Sequence, residues 1–172
     1  ERLNFAGTEL SFTQLGQWLS PTLTVLALDD PTCELAECTF LPMLTSLVLT
    51  DLDLGLPGTE KLCLALPQLP HIQYLLLGKN GLDDACLQLL GPVLARLDDL
   101  AELELCWNQF GAHGVQHLAR GLCQTPQNLK GLDVSNNALG DDGLKWFIQI
   151  CKVQPLLTKC GLSNTAFTNP EL

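Results

Sequence analysis

A pattern of apolar residues that recurs every 28 or 29 residues constrains the fold of this chain more than any other feature. Its template is L-x-x-L-x-L-x-x-N-x-L, and three clear copies occupy residues 72–82, 100–110 and 129–139. The asparagine position of these copies holds Asn80, Asn108 and Asn137. A fixed period of this length predicts one structural unit per repeat, stacked on its neighbours.

Weaker copies flank the three clear ones. A copy that begins at Leu157 has Thr165 in the asparagine position, and a copy that begins at Leu44 has Leu52 there. Earlier copies begin at Leu23 and, without its first position, near Leu3. The spacing of the early copies varies between about 21 and 28 residues. The sequence therefore predicts about seven repeats, the first of them truncated and the N-terminal half irregular.

Within each copy, apolar residues alternate with variable ones, and this period of two predicts a short strand with its apolar side chains facing a core. The stretch after each turn has apolar residues three and four positions apart, which predicts an amphipathic helix. We expect helices over 83–97, 114–122 and 142–151. Their apolar faces are predicted to consist of Leu87, Leu90 and Leu94, of Val115, Leu118 and Leu122, and of Leu144, Phe147 and Cys151.

Several polar residues and one proline define the ends of these elements. Asp83, and either Asp141 or Asp142, are placed to act at helix N-termini, where carboxylates are favourable. Pro92 is expected to shorten or kink the first helix. The asparagine side chains are predicted to form a structural ladder by hydrogen bonding to backbone groups of the turns, at about 1 kcal/mol per bond.

These residues closely resemble the ribonuclease-inhibitor type of leucine-rich repeat. The resemblance covers nearly the whole chain and implies an α/β solenoid in the form of a horseshoe arc, with a parallel sheet on the concave side and helices on the convex side. We expect residues 1–172 to form one such domain. Because no polar cap precedes Leu3, we expect the chain to be a fragment cut from a larger protein at residue 1, with Leu172 as its natural end.

Charge and cysteine content narrow the class of partner. The formal net charge of −10 argues against direct nucleic-acid binding by this segment, which needs clustered Lys and Arg, and favours a basic protein partner. Of eight cysteines, four fall where the repeat requires a small buried residue, which predicts reduced thiols in the cytosol or nucleus. These four are Cys33, Cys86, Cys123 and Cys160. Trp18 and Trp146 lie in helical stretches and are predicted to be packing residues.

A candidate protein-binding surface lies at the variable strand positions, which point to solvent on the concave side. The predicted apolar group consists of Val48, Tyr74 and Leu76, and the predicted acidic group beside it consists of Glu102, Glu104 and Asp133. Trp107 follows its strand near the seam between the two groups. Aromatic residues beside charges are typical of binding hot spots. The alternative is an ordinary solvated sheet in which Trp107 packs against its own turn.

No motif predicts catalysis, a cofactor or a metal. His113 and His117 are four residues apart, but the glutamate of H-E-x-x-H is absent, and we expect both to be solvent-facing helix residues. Cys33 and Cys38 do not form a C-x-x-C pair, and there is no nucleophile motif or phosphate-binding glycine loop. Apolar runs such as 74–77 are too short to span a bilayer. The sequence thus predicts a protein that is not an enzyme and has no small-molecule substrate or membrane partner.

The resemblance implies three functional settings. Uneven repeats, acidic character and cysteine content resemble the C-terminal repeats of the Tonsoku-like family of nuclear scaffolds. That resemblance implies binding of another subunit of a repair complex, in homologous recombination at stalled replication forks. The alternative is the ligand-sensing or autoinhibitory repeat domain of a NOD-like innate immune receptor, in the cytoplasm. A GTPase-activating leucine-rich repeat regulator is a third setting, disfavoured because Arg96 and Arg120 lie at helix ends and not on the concave side.

Overall fold

In the computed structural model, residues 22–27, 41–124 and 128–168 are described. Six strands in these ranges form one sheet in which every neighbouring pair is parallel and the order follows the sequence. The strands are β1 (Val25–Ala27), β2 (Ser46–Val48), β3 (Tyr74–Leu76), β4 (Glu102–Glu104), β5 (Gly131–Asp133) and β6 (Lys159–Gly161). The sheet confirms the predicted strand of each repeat from Leu23 onwards.

Helices connect successive strands from β2 onwards and pack against one another in sequence order. They are α1 (Gly55–Ala65), followed by a 3₁₀ turn (Leu66–Gln68), then α2 (Asp84–Leu94), α3 (Ala112–Leu122) and α4 (Gly140–Val153). Helix α2 ends two residues after Pro92, earlier than the predicted boundary at residue 97. Within the described ranges, no helix has the length and apolar character needed to cross a bilayer. The strands and helices confirm the expected α/β leucine-rich repeat solenoid.

The core lies between the sheet and the helices. The middle residue of each strand points into it and is buried in β1 to β5. These residues are Leu26, Leu47, Leu75, Leu103 and Leu132, paired in register across the sheet. The predicted apolar faces of α2 and α3 are buried against them. The repeat register read from the sequence is therefore confirmed.

The asparagine ladder joins neighbouring repeats through backbone groups. The side-chain Oδ1 of Asn108 accepts hydrogen bonds from the backbone N–H of Asn80 at 2.9 Å and of Leu82 at 3.1 Å. Its Nδ2 donates to the carbonyl oxygens of Leu77 at 3.0 Å and Leu105 at 2.9 Å. One buried side chain therefore satisfies backbone groups in its own turn and in the preceding one, as the ladder hypothesis requires.

The ladder continues on both sides of Asn108. Asn80 Oδ1 accepts a hydrogen bond from the backbone N–H of Leu52 at 2.9 Å. The repeat that has leucine in the asparagine position therefore receives its hydrogen-bond acceptor from the next repeat. Asn137 Nδ2 donates to the carbonyls of Leu105 at 2.9 Å and Val134 at 3.0 Å. Its Oδ1 accepts no hydrogen bond from the part of the chain that the structure describes.

Aspartates cap the starts of α2 and α3, one of them across a repeat boundary. Asp83 caps its own helix α2, because its side chain accepts a hydrogen bond from the backbone N–H of Cys86 at 2.9 Å. The next residue, Asp84, accepts from the backbone N–H of Gly111 at 2.7 Å and of Gly114 at 2.8 Å, at the start of α3. The role of Asp83 was predicted, whereas Asp84 capping the following helix was not.

The predicted apolar face of the last helix was wrong by one position. The buried residues of α4 are Gly143, Phe147 and Ile150, while Leu144 is half-buried. Both sets have helical spacing and share Phe147, so the pattern alone did not distinguish them. Gly143 takes the buried position because there is no room for a side chain beside Leu139; a Cβ on Gly143 would lie 2.8 Å from the Leu139 Cβ.

The predicted burial of the cysteines is confirmed at one position and wrong at three. Cys86 is buried as expected. Cys123, Cys151 and Cys160 are exposed, which contradicts their predicted burial. Cys123 directly follows the end of α3, Cys151 lies beside the buried turn of α4, and Cys160 lies on β6, whose outer edge pairs with no further strand in the described residues. Residues of several predictions lie outside the described ranges: Leu3, Trp18, Cys33, Cys38 and Leu172.

Candidate protein-binding surface

The first and third residues of each strand point away from the core, and the parallel register aligns them in two columns. The first column contains Val25, Ser46, Tyr74, Glu102, Gly131 and Lys159. The second column contains Ala27, Val48, Leu76, Glu104, Asp133 and Gly161. The structure therefore brings the predicted strand residues onto one face of the sheet. Their role in binding stays a prediction.

The apolar and acidic groups meet directly between β3 and β4. Tyr74 pairs in register with Glu102, and Leu76 pairs with Glu104. Val48 lies on the other side of Leu76. The side chain of Tyr74 is 39% exposed, whereas Leu76 and Val48 are half-buried. The surface thus offers an aromatic ring and two aliphatic side chains next to carboxylates.

One member of the acidic group is already paired. Lys159 Nζ lies 2.6 Å from Glu102 Oε1, and the pair spans the Gly131 position between them. The hydrogen bond and the negative charge of Glu102 raise the pKa of Lys159. The predicted acidic group of Glu102, Glu104 and Asp133 thus contains one carboxylate, that of Glu102, that is already neutralised by a lysine. This ion pair could have been predicted from the alignment of the repeats. Gly131 stands between Glu102 and Lys159 in the register, and a glycine there leaves room for the two side chains to meet.

Glu104 and Asp133 are neighbours in register and make no ion pair within the described residues. Asp133 Oδ1 accepts from the backbone N–H of Ser135 at 2.8 Å. The Cys106 thiol donates to Glu104 Oε1 at 3.4 Å. Burial, together with the hydrogen bond to Glu104 and the charges of Glu104 and Asp133, raises the pKa of Cys106 to about 12. Cys106 therefore stays a protonated donor that orients Glu104, and two carboxylates are left for a partner.

A cavity of about 410 Å³ opens over β4 to β6. Glycines create it, since Gly131 and Gly161 carry no side chain at column positions where other strands do. A Cβ on Gly161 would lie 2.0 Å from Asp133 Oδ1, so no other residue fits there without moving that carboxylate. The lining residues are Leu76, Glu102, Leu103, Glu104, Gly131, Leu132, Asp133, Lys159, Cys160 and Gly161. The cavity is apolar at its base and acidic at its wall.

Trp107 lies at the edge of this surface in a left-handed backbone conformation, with φ +57°. Trp107 is 58% exposed, so more than half of its surface faces solvent. The same position in the other repeats is also left-handed, with the residues Asp51, Lys79, Asn136 and Asn164. Asn and Asp tolerate this conformation, whereas a bulky residue there is strained. Trp107 therefore occupies a costly position without the compensation of burial.

The residues weighed for metal binding and for enzyme regulation lie on the helical side. His113 is exposed on α3, with its Nδ1 3.9 Å from Asp84 Oδ2, and His117 is half-buried one turn on. In the described ranges, no three His, Cys, Asp or Glu side chains are grouped as metal ligands. Arg96 and Arg120 are exposed beside the C-termini of α2 and α3, as predicted. Trp146 is partly buried against the core, which agrees with its predicted packing role.

Comparison with known proteins identifies the repeat at several levels. A family model described as "Leucine Rich repeat" matches residues 125–145. NACHT, LRR and PYD domains-containing protein 3 of Rattus norvegicus is 34% identical over 157 residues, covering 73% of this chain and 15% of the relative. Tonsoku-like protein of Bos taurus is 35% identical over 98 residues, covering 56% of this chain and 7% of the relative. The chain thus spans about 15% of the length, or less, of these curated relatives.

Among solved structures, the fold resembles "Leiomodin-1 Actin-Binding Site 2 (ABS2)" with a TM-score of 0.61. The match covers 81% of this chain and 79% of the other, at 20% sequence identity. At this identity the match shows a shared fold and nothing more.

Proposed function

We propose that this chain, which belongs to the leucine-rich repeat family, is a protein-interaction module that binds its partner on the open face of the sheet between β3 and β6. The observation that carries the proposal is that exposed aromatic side chains lie at the open face of the sheet beside a cavity lined by two carboxylates, which make no ion pair within the described residues. Tyr74 and Trp107 supply the apolar area, and Glu104 and Asp133 supply the charge. Large aromatic residues next to charges that a partner can neutralise are the usual content of an interface hot spot.

The chemistry of the surface indicates what it binds. A partner segment with a lysine or arginine can place its aliphatic stem against Leu76 and its charged end between Glu104 and Asp133. The Glu102–Lys159 ion pair bounds the other side of the cavity. The formal net charge of −10 adds long-range attraction for a basic partner. The surface therefore suits a basic protein segment, and no catalytic role is needed to account for it.

Replacing Tyr74 by Ala, Glu104 by Gln and Asp133 by Asn together is expected to weaken partner binding at least tenfold, because both the apolar contact and the charge are removed. The measurement is partner recovery from extract, followed by titration of the recovered partner against each variant. A matched control carries two neutralised carboxylates and one truncated exposed apolar residue on the helical side: Glu60→Gln, Asp98→Asn and Leu64→Ala. Equal loss in both triple variants would place the contact elsewhere.

Trp107→Asn separates binding from stability. Asparagine stands at the equivalent left-handed position in two later repeats, Asn136 and Asn164. We expect the free energy of unfolding to stay the same or rise by about 1 kcal/mol, since strain of that order is relieved. Partner binding is expected to weaken by about 2 kcal/mol, the threshold of a hot-spot residue. Thermal unfolding and titration of one sample measure both, and a fall in stability would show instead that Trp107 is structural.

The setting in which the module acts has two candidates. The match to the NACHT, LRR and PYD protein extends over more of the chain than the match to the Tonsoku-like protein, 73% against 56%. This favours the repeat domain of a NOD-like receptor, in which the open face senses a ligand or restrains the rest of the protein in the cytoplasm. The uneven early repeats favour the repair scaffold, in which the face holds another subunit of a recombination complex in the nucleus.

Affinity purification of the full-length protein, with and without residues 1–172, distinguishes the two settings by mass spectrometry. Loss of a large recombination partner on deletion would support the repair scaffold. Retained partners together with increased self-association would support an autoinhibitory receptor domain. Retained partners with unchanged self-association would contradict both settings and, if the triple variant also binds normally, the proposed module itself.

A further inference from the structure

A second concave feature lies on the helical side, away from the sheet. It is a groove of about 650 Å³ between the C-terminal halves of α2 and α3. Its lining consists of Gln88, Pro92, Ala95, Arg96, His117, Arg120, Gly121 and Gln124. No carboxylate is among these residues, although Asp and Glu outnumber Lys and Arg by 19 to 9 in the chain.

Two glycines fix the floor of this groove. A Cβ on Gly121 would lie 2.2 Å from the carbonyl oxygen of Gly91, and a Cβ on Gly91 would lie 2.6 Å from that of His117. The backbones of α2 and α3 are therefore in direct contact there, with no side chain between them. Because the floor is backbone held by the helices on either side, the groove is a preformed feature that does not depend on side-chain rearrangement.

The charge of the groove is unlike that of the rest of the molecule. Arg96 and Arg120 are exposed, and neither makes an ion pair within the described residues. Of the six lysines, Lys145 and Lys159 are paired with nearby acids, and the other four make no ion pair within the described residues, so it is the absence of carboxylates from the lining that sets the groove apart. An arginine near a helix C-terminus offsets the helix dipole, which is the structural explanation for each of them alone. That explanation does not account for the groove between them or for its lack of acidic residues.

We infer that this groove binds an acidic peptide segment of a protein partner. The planar guanidinium groups of Arg96 and Arg120 can each bind a carboxylate through two parallel hydrogen bonds. Gln88 supplies an amide donor in the groove wall. The site is separate from the open face of the sheet, so either surface can be lost without the other. The module would then hold a basic partner segment on one side and an acidic one on the other.

Fluorescence anisotropy with a labelled octaglutamate peptide tests the inference on the whole chain. We expect saturable binding that weakens with added salt, and at least a tenfold loss in the double variant Arg96→Gln and Arg120→Gln. The matched control is Lys145→Gln with Lys152→Gln, which changes the net charge equally on the neighbouring helix and should change affinity less than twofold. Arg96→Lys with Arg120→Lys should lose affinity several-fold, since charge is kept and the fork geometry is lost.

Several results would overturn the inference. If the Arg96→Gln, Arg120→Gln variant and the Lys145→Gln, Lys152→Gln control lost equal affinity for the peptide, the binding would be general electrostatic attraction and not a site. Absence of binding to the unaltered chain, with its fold verified by circular dichroism, would also refute it. Tighter binding of a labelled oligothymidylate than of the peptide would identify a nucleic-acid groove instead. If the arginine variant loses stability but not affinity, the two side chains serve only the helix ends.

Discussion

Replacing Asn108 by alanine is expected to lower the free energy of unfolding by about 2–6 kcal/mol, because two buried backbone N–H groups lose their acceptor at about 1–3 kcal/mol each. The groups are those of Asn80 and Leu82, and the carbonyls of Leu77 and Leu105 lose a donor as well. Alanine cannot replace any of these bonds. Urea unfolding monitored by circular dichroism gives the difference from the unaltered chain.

Two further substitutions test whether the loss of stability follows the number of backbone groups that each asparagine satisfies. Asn137→Ala should cost less than Asn108→Ala, since the Asn137 Oδ1 accepts no backbone N–H within the described ranges. Asn128→Ala serves as the control, because Asn128 is exposed and its amide donates one hydrogen bond within the described residues, to the Asp98 carbonyl at 3.0 Å. Its cost should stay within about 0.5 kcal/mol, as for other surface changes. Equal costs for all three asparagines would refute the ladder as the source of stability.

Truncating Leu103 to alanine is expected to cost about 2–5 kcal/mol, through lost burial and the cavity that remains. Leu103 is the middle residue of β4, is 2% exposed and is flanked in register by Leu75 and Leu132. Both strand neighbours and the helices behind them are held by the rest of the array, so the site has little freedom to collapse. Thermal and urea unfolding should agree on the loss.

Leu64→Ala is the matched control for this truncation. Leu64 is on α1 and is 65% exposed, so the same chemical change removes little buried surface. We expect a change within about 0.5 kcal/mol. If Leu103→Ala were as mild as Leu64→Ala, the register assigned to β4 would be wrong, whatever the overall fold.

The fold was predictable because the repeat period alone identifies the structural unit and how the units stack. Each copy specifies a strand by alternation and a buried asparagine by position, so stacking follows once the copies are aligned. Helix faces were predictable where leucines fill them, as in α2 and α3. They were not predictable in α4, where the buried position is held by Gly143, because a side chain there would collide with Leu139. Helix α1 was missed because its copy precedes the regular repeats and its apolar spacing is weak.

The candidate surface was predictable in position but not in detail. The template identifies which strand positions face outward, so the residues that share the face could be named in advance. Which acids are free could not, because Glu102 contacts Lys159, 57 residues away, across the space left by Gly131. The exposure of Trp107 also depends on three-dimensional contacts. The sequence indicated the left-handed backbone of Trp107 only weakly, because Asn136 occupies the equivalent position in the next repeat.

The contact of Asp84 with the start of α3 affects how such an array can be taken apart or recombined. The carboxylate belongs to one repeat, while the Gly111 and Gly114 N–H groups it holds belong to the next. A graft that exchanges repeats from strand to strand would separate the two halves of this cap. A transplanted piece therefore brings both donor and acceptor only if it starts ahead of α2, before Asp84, and ends beyond Gly114 in the first turn of α3.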